Sequence, residues 1–184
     1  GYNLLKELGA STDKLQLTSI GKKLSKLPLD PKLGRMLLAS EVEGSLNEIL
    51  IIVSALSIQD PHERPSDQQA NADLKHKQWK DEMSDFSTLI NLWKHFEGQS
   101  QDLSRIKFDK YCRKNYISAR RMSEWRELHH QLHSACRDIG ISDSSQSGTY
   151  ESIHKALLTG FLSQIGLKRE ASGEGYSKNK RRNN

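Results

Sequence analysis

The stretch Leu46-Asn47-Glu48-Ile49-Leu50-Ile51-Ile52-Val53-Ser54-Ala55-Leu56-Ser57-Ile58 carries a single charge, Glu48. A segment apolar around most of a helical surface reads as a buried central helix, not an amphipathic one that faces water. Composition points the same way. The chain holds 24 Leu and 12 Ile but only 2 Val and 5 Thr. Leu suits helices, whereas β-branched residues favour strands. The fold class expected is all-α, and 184 residues suffice to bury a core without disulfide or metal staples.

Helical spacing continues on both sides. Upstream, Gly44-Ser45 is a break, and Ser45-x-x-Glu48 resembles a capping box. Asp30-Pro31 opens a helix with Leu33, Met36, Leu37 and Leu38, Asp capping and Pro in the first turn. Thr18 caps a helix over 18–27 that Pro28 stops. Residues 2–10 form a short helix closed by Gly9. Downstream, Pro61 and Pro65 make 60–65 an ordered loop, and 67–80 reads as polar helix. Phe86, Leu89, Ile90, Trp93 and Phe96 form an apolar stripe. A connector is expected at 100–102, then helices over 106–116 and 118–139. A Ser-rich loop spans 142–148, and a last helix spans 150–165. From 168 onward no packable periodicity is present. The expected architecture is a small helix-turn-helix or winged-helix module over 1–43 and a helical bundle over 44–167. Residues 168–184 are expected to be disordered or truncated.

Net charge is +5, but it is unevenly placed. Residues 1–104 are net −3, 105–126 net +6, 127–167 net −2 and 168–184 net +4. A basic central segment suits an anionic partner. Cys112 and Cys136 are too few and too far apart for a disulfide framework or a C-x-x-C site, which fits a reducing, cytoplasmic setting. No run approaches the roughly 20 apolar residues of a membrane helix, and no signal peptide is visible. Residue 1 is Gly, which reads as processing or excision from a longer chain. There is no G-x-x-x-x-G-K-[ST] loop, no G-x-S-x-G elbow and no H-E-x-x-H. His129, His130 and His133 include an i, i+4 pair, but no carboxylate or thiol is placed to complete a metal site, and solvated helix histidines are the favoured reading. No catalysis and no metal are expected within this chain.

Against this background, five collinear motifs carry a resemblance. Leu17-Thr18, Gly21-Lys22, Leu27-Pro28-Leu29-Asp30-Pro31 and Arg35-Met36-Leu37 resemble the winged-helix start of the helicase-associated region in DEAH-box ATP-dependent RNA helicases. Residues 48–59 resemble that family's ratchet helix, and Asp60-Pro61-His62-Glu63-Arg64-Pro65 its following loop. Ser84-Asp85-Phe86 with Leu89, Asn91, Leu92 and Trp93 agrees next. Cys112-Arg113-Lys114-Asn115-Tyr116, Glu124-Trp125 and Gln131-Leu132 complete the set. The wording is most similar to bacterial HrpA-type members, with a departure at Ser123, where those often carry Arg. Residues 166–176 resemble the start of an OB-fold.

The resemblance implies a partial winged helix followed by a ratchet bundle and a truncated start of an OB-fold. This piece would lack the RecA-like motor domains, where the family binds ATP and Mg. It implies a wall of a single-stranded RNA channel, with the motor domains and OB-fold of the same polypeptide as partners and no membrane. The residues expected at RNA are Arg113, Lys114, Arg120, Arg121 and Arg126 for phosphates and Asn115 for backbone or bases. The family's arginine aligns with either Arg120 or Arg121. Arg64 either braces the loop or touches RNA. Trp93, Trp125 and Cys112 are read as core. A second implied role is a protein-interaction scaffold, with Leu4, Leu5 and Leu8 exposed for a regulatory protein.

Overall fold

Side-chain caps mark where most helices of this chain begin. The Thr18 hydroxyl accepts from the Gly21 amide, Asp30 from Lys32, Ser84 from Ser87, Ser118 from Arg121 and Thr149 from Ser152. Each satisfies an amide that the first helical turn leaves unpaired. The computed structural model describes residues 1–143 and 146–162. Among these residues the helices are α1 (Tyr2–Glu7), α2 (Ser19–Leu24), α3 (Pro31–Glu43), α4 (Leu46–Leu56) and α5 (Gln69–His76). A 3-10 turn (Lys77–Trp79) precedes α6 (Asp85–Asp102), α7 (Arg105–Lys114), α8 (Ala119–Asp138) and α9 (Tyr150–Phe161). No strand is present among them, only two isolated bridges, Ser11 with Leu17 and His62 with Ile117.

α4 lies at the centre, as its apolar run dictates. Ile49, Leu50, Ile52 and Val53 are at most 1% exposed. Burying each such side chain contributes about 1.5–3 kcal/mol relative to exposure. α3, α6, α8 and α9 all pack on α4. α8 is fixed to it by Trp125, whose indole N–H is shared between the Ile51 carbonyl and the Ser54 hydroxyl, each at 3.0 Å. α3 packs most extensively against α9. Gly160 makes that approach possible, because a Cβ there would stand 2.5 Å from the Lys32 carbonyl oxygen. One apolar core runs from Ala10 to Leu157, across the junction at 43/44.

Several expectations change in detail. The capping box at Ser45 does not form. Ser45 makes no capping bond, and its hydroxyl instead donates to the Ser152 carbonyl on α9. α6 continues through 100–102, with the Ser100 hydroxyl bonded back to the Glu97 carbonyl. Leu8 is buried and Leu4 and Leu5 are half-buried, so the three do not form an exposed docking stripe. Residues 163–165 of the expected last helix, and the whole expected OB-fold start, lie outside the described residues. No described helix is long and apolar enough to cross a membrane.

Candidate nucleic-acid interface

α7 and α8 carry the basic segment, joined by a tight turn. Tyr116 takes a left-handed conformation there, φ 56°. The turn is tied to the loop after α4 by two backbone bonds, Glu63 N–H to the Tyr116 carbonyl at 2.8 Å and Ser118 N–H to the Pro61 carbonyl at 2.9 Å. Phe108 and Cys112 face inward and anchor α7. Behind them Tyr111 donates to or accepts from His95 at 2.7 Å. Burial raises the Tyr111 pKa and lowers that of His95, which keeps both neutral at pH 7.

The six residues singled out from the sequence separate into distinct environments. Arg113 and Lys114 are exposed in the last turn of α7, where cations also complement the helix dipole. Asn115 is 6% exposed. Its side-chain amide donates to the Tyr111 carbonyl at 2.9 Å, so it closes the helix and does not join the surface group. Arg120 is exposed and pairs with Glu124 one turn on, at 2.9 Å, an arrangement worth only about 0.3–0.5 kcal/mol. Arg121 is engaged elsewhere, its guanidinium donating to the Asp60 carbonyl at 2.8 Å. Arg126 Nε lies 2.9 Å from Glu97 Oε2 across the α6–α8 seam. Arg120 and Arg121, the two candidates for the family's arginine, therefore do different things. Arg120 pairs along its own helix with Glu124, while Arg121 holds the 60–65 loop.

Between α7 and α8 lies an open groove of about 780 Å³. Arg105, Arg113, Arg120 and Arg126 line it, but so do Glu63, Asp109, Glu124 and Glu127. The charges of the groove thus balance. The cationic excess of this segment emerges on the opposite, outer side of α7. Lys107, Lys110 and Lys114 are exposed there, and Arg113 stands at the border with the groove. Among the described residues none of these four has an ion-pair partner. Sequence reasoning counted Lys107 and Lys110 in the basic segment without singling them out. Their spacing with Lys114, three and four residues apart, was the available signal.

The remaining candidates sit in ion pairs or against the core. Arg64 pairs with Asp73 at 2.7 Å and braces the loop to α5. Trp93 and Trp125 are buried, their ring centroids 5.2 Å apart. His129 lies on Trp93 at 4.6 Å, and burial, with His130 and His133 nearby, pushes its pKa down to about 4. His133 contacts Asp143. Burial pushes the Cys112 and Cys136 thiols up to about 12 and about 11, so neither is a nucleophile at neutral pH.

The chain matches known families and proteins over most of its length. Residues 30–131 match the family described as helicase associated domain (HA2), ratchet-like. The chain is 41% identical over 183 residues to the ATP-dependent RNA helicase HrpA homolog of Haemophilus influenzae, covering 96% of this chain and 14% of that protein. It is 44% identical over 173 residues to ATP-dependent RNA helicase HrpA of Escherichia coli, covering 91% and 13%. It is 28% identical over 157 residues to human ATP-dependent RNA helicase DHX33, covering 84% and 21%.

Proposed function

From the premise that the chain belongs to the ratchet-like helicase-associated domain (HA2) family, we propose that it is an accessory module of an ATP-dependent DEAH-box RNA helicase and forms one wall of the single-stranded RNA channel. The chain spans about an eighth to a seventh of the two HrpA relatives. ATP and Mg, in this reading, are bound by RecA-like domains of a longer polypeptide, since residues 1–184 contain no G-x-x-x-x-G-K-[ST] loop. Residues 1–43 serve as a partial winged helix linking the bundle to the motor, 44–167 as the ratchet, and 168–184 as the start of an OB-fold.

The observation that carries this reading is the set of exposed, unpaired cations on α7, mounted on a helix whose other side is locked into the core by Phe108 and Cys112. A rigid cationic wall can track a phosphate backbone without reading its sequence. The module does no chemistry. It holds the strand while the motor moves it, so its contacts must be salt-sensitive and tolerant of sequence. Contacts to other domains of the same polypeptide are supported by a second surface. Val42 is 85% exposed beside a cleft lined by Ile20, Leu38 and Ala39, which suits an apolar partner surface.

The test is fluorescence anisotropy of a labelled short oligouridylate titrated with the chain at low and at physiological salt. Binding that weakens steeply with salt supports the RNA-wall reading. Absence of binding at low salt supports a scaffold that contacts only protein.

A further inference from the structure

We infer that the phosphate track on this module is the outer face of α7, formed by Lys107, Lys110 and Lys114, and not the α7–α8 groove. This rests on the RNA-wall reading and sharpens it to one surface. The three side chains fall within an arc of about 60° on the helix, and Lys107 to Lys114 spans roughly 10 Å along its axis. All three are exposed, none lines the groove, and none is paired among the described residues. The one acidic residue of α7, Asp109, is half-buried on the groove side.

The groove is the larger concavity, but its electrostatics disqualify it as the main track. Its four arginines are matched by four carboxylates. Arg120 and Arg126 are already committed to Glu124 and Glu97. A phosphate entering there meets carboxylate repulsion and must displace a carboxylate from each of those two arginines. On the outer face it meets only donors. Lys and Arg donate and do not accept. Ile106, 71% exposed beside this arc, adds an apolar contact with no hydrogen bond. Such a face recognises phosphates of any sequence.

The experiment compares three versions of the chain in salt titrations of oligouridylate and oligoadenylate binding. One carries Lys107→Gln, Lys110→Gln and Lys114→Gln. The second carries Arg105→Gln and Arg120→Gln, both exposed groove residues. The third is unaltered. Each phosphate neutralised on a single strand contributes about 0.7 to the slope of log affinity against log salt. Three contacts give a slope of about 2.1, or roughly a 20-fold loss between about 50 and 200 mM salt. Contributions shared by all three proteins cancel in the comparison.

The α7 variant is expected to lose most of that slope, equally for both oligonucleotides, while the groove variant loses less than one contact's worth. If the groove variant flattens the slope as much as the α7 variant or more, the outer-face assignment is wrong while the RNA-wall reading stands. If the unaltered chain binds neither oligonucleotide, both fail. Circular dichroism checks that each variant is folded. A charge-preserving variant, Lys107→Arg with Lys110→Arg and Lys114→Arg, should keep the slope, and its loss would also overturn the assignment.

Discussion

Replacing Gly160 by Ala separates packing from helix propensity in one substitution. Gly160 lies in α9 where it crosses α3. A methyl group there would stand 2.5 Å from the Lys32 carbonyl oxygen, 2.5 Å from Met36 Cε and 2.9 Å from Met36 Cγ. Met36 could move, but the Lys32 carbonyl is backbone of α3's first turn. The two helices must part to admit the methyl. Overpacking of this kind costs about 1–3 kcal/mol. Ala is favoured over Gly in a helix interior by up to about 1 kcal/mol. The net expectation is a loss of about 1–2 kcal/mol, or a fall in Tm of roughly 2–8 °C for a chain of this size. Gly98 provides the control. It lies inside α6, and a methyl there meets nothing within 4 Å. Gly98→Ala should therefore stabilise by about 0.5–1 kcal/mol through propensity alone. The assay is urea unfolding followed by circular dichroism. A Gly160→Ala protein as stable as the unaltered chain would refute the close α3–α9 packing. So would two variants that shift in the same direction.

Two further outcomes follow from the core. Trp125→Phe removes the indole donor to Ile51 and Ser54 and leaves a small void, at a cost of about 2–4 kcal/mol in urea unfolding; a loss under 1 kcal/mol would contradict the α4–α8 tie. His129 has a depressed pKa, about 4 against an ordinary 6.5, so between those values the unfolded chain binds more protons than the folded one. Stability contributed by His129 is full above 6.5 and is lost as pH falls toward 4. Its ring is only partly enclosed, so the amount is about 1–2 kcal/mol after allowing for solvent screening. The stability difference between the unaltered chain and His129→Leu should therefore change by that much between pH 7 and pH 4, and parallel pH profiles would contradict it.

The fold was legible where a local rule governed it. The uncharged run at 46–58 could only be buried, and Thr18, Asp30 and Pro31 mark helix starts by chemistry that acts within four residues. What escaped the sequence depends on distant partners. Ser45 could have capped α4, but the Ser152 carbonyl, 107 residues away, takes its hydroxyl. Arg121 and Arg120 are adjacent in the chain, yet only the structure shows that one is bound to the Asp60 carbonyl and the other is exposed. Asn115 has the composition of a contact residue and the position of a helix cap. The charge count of 105–126 located the basic region but not its usable face, because Glu63, Glu97 and Glu127 come from outside that window to neutralise or crowd the groove. Lys107 and Lys110 stand out only once the ion pairs are known.

The central claim is that the outer face of α7 faces RNA. Backbone amide chemical shifts of the chain, followed during titration with an oligouridylate, test it most directly. The account predicts that the largest changes fall on residues 105–114 and fade as salt is raised. Changes centred on α1 to α3 instead, or none at low salt, would contradict it.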